Sequence, residues 1–287
     1  NNQDAYADRW TLFYLDDDVG TETIQSTVDE ARDHPGKRDG IDLAEGNYKE
    51  HVTIDKSIYI QGHNPIATIV NGTNNGRVFT IGALKPSSIV SFSGFSIVNG
   101  YVKGNDAVDG TGGNAQGGGV HNSAILDLTN VIVRDNVAEG GSGTGSSVSN
   151  GDGKNGIGGS AMGGGLFNKG TLTLKDSQVI NNTAIGGDGQ GGNAQGGNGV
   201  DGADGPDAND LGFSDIYALE FEEIKGDPGG NGGSGTSGSA GQSVTGGQGI
   251  GGQAKGGGIY SEGALTLESS MVSENKALGG DGRGGDA

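Results

Sequence analysis

The stretches GGGVHNSAILDLTNVIVRDNVA (117–138), GGGLFNKGTLTLKDSQVINNTA (163–184) and GGGIYSEGALTLESSMVSENKA (256–277) align without a gap. Val120, Leu166 and Ile259 coincide, as do Leu126, Leu172 and Leu265, then Leu128, Leu174 and Leu267, then Val133, Val179 and Val272. Side chains alternate across a strand, so each Leu-x-Leu pair lies on one face. Asn136, Asn182 and Asn275 close the last strand at a shared position, and Asn99 ends the related phrase GFSIVN. A unit of about 22 residues with three short strands and turns between them has the size of one coil of a parallel β-helix. Stacking such coils at ~4.8 Å buries each inward residue against its counterparts above and below. Asn99, Asn136, Asn182 and Asn275 are then expected to form a structural ladder, because an asparagine amide can hydrogen-bond up and down a stack.

Upstream of these units the same grammar continues in shorter form. IDL (41–43), HVTI (51–54), SIYI (57–60), ATIV (67–70), RVFTI (77–81), SIVSF (88–92) and GFSIV (94–98) are short β-branched runs separated by Gly, Asn, Asp or Pro. Before them, residues 23–32 read as an amphipathic helix. Ile24, Val28 and Ala31 share one face, and Pro35 and Gly36 stop it. Such a helix would cover the open edge of the first coil, which otherwise invites aggregation. The expected architecture is therefore all-β: a right-handed parallel β-helix with an amino-terminal capping helix and glycine-rich excursions between coils. Residues 1–110 hold the cap and first coils and 111–287 the repeat coils, in one continuous solenoid.

The excursions span 101–116, 139–162 and 185–255, and share the phrase GG-x-A-x-GG at 112–118, 158–164, 191–197 and 251–257. A recurring phrase argues for a recurring conformation, with small side chains permitting packed extended segments, and flexible loops are the alternative. The longest also carries DIYALEFEEIK (215–225), a short helix or strand. The last residues, ALGGDGRGGDA (277–287), repeat AIGGDGQGGNA (184–194), so the array is expected to continue, through further repeats or head-to-tail docking of copies.

Glycine supplies 63 of 287 residues, yet a collagen-like period appears only in GVDGADGPD (199–207), and the clustered apolar runs argue against disorder. The net charge of −19 repels phosphate backbones and disfavours nucleic acid as a partner. There is no cysteine, hence no disulfide framework and no thiolate metal site. No apolar run approaches the ~20 residues of a membrane span, and no signal peptide remains at the opening NNQDAYADRW, where it was either removed or never there.

The Gly-Gly-aliphatic motif at Gly118-Gly119-Val120, Gly164-Gly165-Leu166 and Gly257-Gly258-Ile259, paired with strands ending in Asn, resembles the repeats of chlamydial polymorphic outer-membrane proteins and related bacterial adhesin passengers. Val133, Val179 and Val272 stand where that family usually has Phe. TIQSTVDEAR (23–32), IDLAEGNYKEHVTIDKSIYIQG (41–62) and ATIVNG (67–72) resemble the cap and first coils of pectinesterase- and pectate-lyase-type β-helices. The first resemblance implies a secreted or cell-surface protein. The second implies a scaffold, since activity in those enzymes resides in later coils.

Catalytic patterns of the polysaccharide-active families do not stand in the aligned coils. Outward positions carry Asp127, Asp135, Lys175, Asp176, Glu268 and Glu274, with no pair repeated at one location. His34, His51, His63 and His121 lack metal-ligand spacing, and Gly187, Gly189 and Gly192 match G-x-G-x-x-G without a strand–helix context. Calcium is the one cofactor with a case, at Asp201, Asp204, Asp207 and Asp210 in an acidic loop, with a second cluster at Asp16 to Asp18. GGDGQGGNA, however, lacks the aspartate of calcium-binding nonapeptides. Asn71-Gly72-Thr73 and Asn181-Asn182-Thr183 are glycosylation sequons. The expectation is a non-catalytic structural or adhesive surface protein that self-associates or meets a surface glycan or receptor. A polysaccharide-acting enzyme and a calcium-dependent binding module are the alternatives.

Overall fold

Alternating apolar residues in runs of three to five put one face of each short strand inward, and a turn residue follows before the chain can extend further. The computed structural model describes residues 11–16, 22–34, 37–149, 152–195, 211–213, 216–217 and 244–286. Its strands fall into stacked sheets, and the chain visits three of them in a fixed cyclic order. The first sheet contains Leu12–Leu15, Lys37–Leu43, Ile58–Gly62, Ile89–Ser93, Ile125–Thr129, Thr171–Lys175 and Ala264–Glu268, all paired in parallel. The second runs Gly46–Lys49, Thr68–Asn71, Ser96–Val98, Ile132–Arg134, Gln178–Ile180 and Met271–Ser273. The third runs Val52–Ile54, Phe79–Ile81, Val120–Asn122, Leu166–Asn168 and Ile259–Ser261. The all-β, parallel part of the expected fold is thus observed.

Register converts the sequence alignment into columns. Ile60, Phe92, Leu128, Leu174 and Leu267 stand in one line, and Ile58, Val90, Leu126, Leu172 and Leu265 in the next. Both lines are fully buried until the last coil, where Leu265 and Leu267 are only partly covered. The second sheet contributes Tyr48, Val70, Ile97, Val133, Val179 and Val272. Phe79, Phe92 and Phe95 form an aromatic cluster, with ring centroids 4.6–6.2 Å apart, in the coil that precedes the first excursion.

The helix spans Ile24–Glu30, with Thr23 as N-cap and a capping box closed by Ser26. Seven residues are too few to hold a helix without tertiary help. The first coil supplies it at both ends. Glu50 accepts the N–H groups of Ile24 (2.8 Å) and Gln25 (3.1 Å), while Lys56 Nζ donates to the carbonyls of Asp29 and Ala31. An anion at the amino end and a cation at the carboxyl end both suit the helix dipole. Ile24, Val28 and Ala31 are buried in the main core.

The described parts of the glycine-rich excursions form an ordered slab with an outgoing and a returning layer. Outgoing segments Tyr101–Lys103, Val137–Glu139, Thr183–Ile185 and Asn275–Leu278 pair in parallel, and farther out Gly143–Thr144, Gly189–Gln190 and Gly282–Arg283 do the same. Returning segments Ala115–Gln116, Ala161–Met162 and Ala254–Lys255 form the other layer. Hydrogen bonds also cross between layers in a zigzag: Gly141 N–H to Gly113 O, Gly159 to Gly141, Gly187 to Gly159, Gly252 to Gly187 and Gly280 to Gly252, all at 2.7–2.9 Å. Ordinary sheets stack ~10 Å apart because side chains intervene, so this second direction of bonding exists only where side chains are missing. A methyl group added at Gly158 would lie 1.7 Å from Gly187 O. Where the returning layer meets the coils, Gly117, Gly163 and Gly256 turn the corner at φ of 58–65°.

Three copies of the GG-x-A-x-GG phrase lie in the returning layer. The copy at 191–197 instead places Ala194 beside Val148 at the tip of the outgoing layer. The structure also pairs Leu211–Phe213 and Ile216–Tyr217 antiparallel along Asn275–Leu278 and Met271–Ser273 of the last coil. Most of the 185–255 excursion lies outside the described residues, as does all but two residues of 215–225.

Candidate functional site

Inward columns vary little from coil to coil, so any distinguishing chemistry must sit on outward faces. The outer face of the first sheet carries a groove of about 450 Å³ bounded by Arg38, Tyr59, Ser91, Asp127, Thr173 and Lys175. Tyr59, Ser91, Asp127 and Thr173 occupy one outward row on four successive strands. Ser93, Thr129 and Lys175 form the neighbouring row. Arg38 is fixed across this face, with Nη1 donating to Ser91 Oγ at 2.7 Å. Asp127 is half-buried between the hydroxyl-bearing Ser91 and Thr173, and Lys175 is exposed at the far end. Among the described residues, neither the Asp127 carboxylate nor the Lys175 ammonium has a hydrogen bond or an ion pair. Asp127 and Lys175 were legible as outward positions. Arg38 and Tyr59 were missed, because nothing in the sequence shows that distant coils bring them together.

The asparagines separate into two rows. Asn136, Asn182 and Asn275 form a column in which Asn136 N–H and Nδ2 donate to Asn182 Oδ1 at 3.1 and 2.9 Å. Asn182 repeats both bonds to Asn275 Oδ1, at 2.9 and 3.0 Å. Asn99 does not belong to this column. Ile97 pairs with Val133, so Asn99 falls beside Asp135 and Gly100 falls beside Asn136. Gly100 N–H donates to Asn136 Oδ1 at 2.7 Å. Asn99 shares its row with the left-handed residues Asp135, Asn181 and Glu274, at φ of 52–57°. The column asparagines do not adopt that conformation; their role is to satisfy buried backbone groups. A second internal ladder went unread. Asn122 Nδ2 donates to Asn168 Oδ1 (2.7 Å) and Asn168 Nδ2 to Ser261 Oγ (2.9 Å), and its signal was present as the sixth residue of each aligned unit.

The third sheet carries an outward aromatic stack at the slab junction. His121 lies over Phe167 (5.0 Å between centroids) and Phe167 over Tyr260 (5.6 Å), with Lys169 Nζ 5.4 Å from the Phe167 centroid. His121 Nδ1 is buried without a hydrogen-bond partner. Burial, then the neighbouring charges of Arg77 and Lys169, lower its pKa to about 4. Arg77 donates from Nε to Gly117 O (2.9 Å) and from Nη2 to Gln116 O (2.8 Å), occupying carbonyls at the unpaired edge of the first returning segment. Burial lowers the Arg77 pKa as well.

Of the other histidines, His51 Nδ1 lies 2.9 Å from Arg77 O and His63 Nε2 lies 2.7 Å from Asp42 Oδ1. No group of three or more His, Asp and Glu able to hold a metal occurs among the described residues. Asp201, Asp204, Asp207 and Asp210 lie outside the described residues, as do Asp17 and Asp18. No helix among the described residues is long and apolar enough to cross a membrane. No known protein-family model matches the chain, and no curated protein matches it either.

Proposed function

We propose that this chain is a right-handed parallel β-helix serving as a non-catalytic structural or adhesive scaffold, secreted or displayed at the cell surface. The observation that carries this reading is the glycine slab. Among the described residues, backbone hydrogen bonds run both along the stack and across the layers, and glycine stands where a Cβ would interrupt the second direction. That construction stiffens the projecting element over its described residues. Right-handed crossovers are the rule where parallel strands of one sheet are connected, which supports the hand. The Gly-Gly-aliphatic repeats and Asn-terminated strands support kinship with polymorphic outer-membrane-protein and adhesin passengers, and the first coils support a pectate-lyase-like cap.

Immunogold labelling of intact source cells, with protease shaving, tests the placement. Cryo-electron microscopy of the purified chain tests for a straight rod bearing a lateral fin. Label confined to the cell interior, or a rod bent at the fin, would overturn the reading. Turnover of polygalacturonate or another acidic glycan by the purified protein would replace it with the enzymatic alternative.

A further inference from the structure

The adhesive reading leaves the ligand unnamed, and the groove on the first sheet carries enough chemistry to name its class. Strands there lie one coil spacing apart, ~4.8 Å, which is about the advance of one pyranose in an extended chain. A glycan lying along the stack therefore meets one coil per sugar. Arg38 is anchored on Ser91, and Lys175 stands two strands farther along. Asp127 occupies the strand between them, one outward row over from Lys175. Its carboxylate is half-buried and, among the described residues, has neither a hydrogen bond nor an ion pair.

The charge order along the groove is thus positive, negative, positive. A bound carboxylate is favoured at the first and third sugars, where a guanidinium and an ammonium can form charge-assisted hydrogen bonds. At the middle sugar a carboxylate would face Asp127, whereas a hydroxyl or amide N–H would donate to it, with Ser91 and Thr173 hydroxyls on either side. Tyr59 closes the groove with a ring beside Ser91. From this arrangement we infer that the groove binds an extended anionic polysaccharide in which uronic acids alternate with uncharged sugars, and that Asp127 discriminates against polymers carrying a carboxylate on every sugar.

This inference rests on the adhesive reading, but its test is independent of localisation and stiffness. Isothermal titration of the full chain would compare three oligosaccharides of equal length: alternating uronate and N-acetylhexosamine, uronate alone, and N-acetylhexosamine alone. The alternating oligosaccharide should bind at least tenfold more tightly than either other probe. Arg38→Gln and Lys175→Gln should each weaken it about tenfold, the scale of one charge-assisted hydrogen bond, with Tm unchanged. Asp127→Asn should improve binding of the all-uronate probe at least fivefold, by removing a like charge from the contact. A gain confined to the all-uronate probe separates recognition from general electrostatic attraction, which would strengthen binding of the alternating probe as well. Equal affinity for the two acidic probes, no change in the cation variants, or no gain in Asp127→Asn would overturn the inference. A chain that proves to be a stiff surface protein yet fails these tests would lose this inference alone.

Discussion

Replacing Gly159 with alanine probes the feature that most distinguishes this molecule. The added Cβ would sit 2.0 Å from Gly113 O and 2.6 Å from Gly113 C, far inside the 3.4 Å at which ordinary contact begins. Those atoms are backbone, so no rotamer change can relieve the clash. The neighbouring returning segments must move apart, which displaces Gly113 O and Gly159 N–H and breaks the zigzag where Gly141 N–H meets Gly113 O and where Gly159 N–H meets Gly141 O. Two buried backbone hydrogen bonds at about 1 kcal/mol each, plus the cost of leaving their groups unpaired, give about 2–4 kcal/mol of local destabilisation. Hydrogen–deuterium exchange is the appropriate assay, because a stack of parallel strands in which each repeat meets only its neighbours can open locally without unfolding as a whole. Peptides covering 138–163 should exchange about 30- to 1,000-fold faster, while those covering Leu172 and Leu174 keep their protection. Ser160→Ala is the control, since the Ser160 N–H bond to Asn114 Oδ1 survives the change. If Gly159→Ala exchanged within threefold of the parent, the interlayer bonding argument would fail.

Asn182→Ala removes the middle of the asparagine column and strands Asn136 N–H, Val133 O and Ile180 O, so unfolding should cost 2–5 kcal/mol less by chemical denaturation. Asn99→Gly, in the neighbouring left-handed row, should change stability by less than about 1 kcal/mol. His121 titrates near 6.5 when unfolded but near 4 in the fold, so the unfolded state binds more protons between those values. Stability should therefore fall as pH drops from 6.5 toward 4, by on the order of 1–2 kcal/mol after allowing for the ring's partial exposure. Thermal melts of His121→Phe across that window should lack this component; an identical pH profile in variant and parent would count against it. Glu50→Ala leaves Ile24 and Gln25 N–H groups unpaired and should lower stability by about 1–2 kcal/mol, with faster exchange in 22–31 read by mass spectrometry.

The inward face of this protein was readable from sequence because it is periodic. Leu126, Leu172 and Leu265 share a column for the same reason that they share an alignment position: parallel stacking preserves register from coil to coil. The capping helix was equally legible, since Ile24, Val28 and Ala31 obey a 3.6-residue period that no strand shares. Its clamps were not, because Glu50 and Lys56 look like ordinary surface charges until the helix is docked on them. Asn99 was assigned one row away from its true place because a phrase match does not record which residue takes the positive φ. Glycine presents the same difficulty in a sharper form. Composition announced close backbone approach, but a residue without a side chain carries no mark of which neighbour it approaches. Only the fold could decide that Ala194 of the fourth phrase lies in the outgoing layer and the alanines of its three relatives in the returning one. The groove was hidden for the opposite reason. Arg38, Tyr59, Asp127 and Lys175 come from strands spread over more than a hundred residues, and stacking alone brings them onto one face.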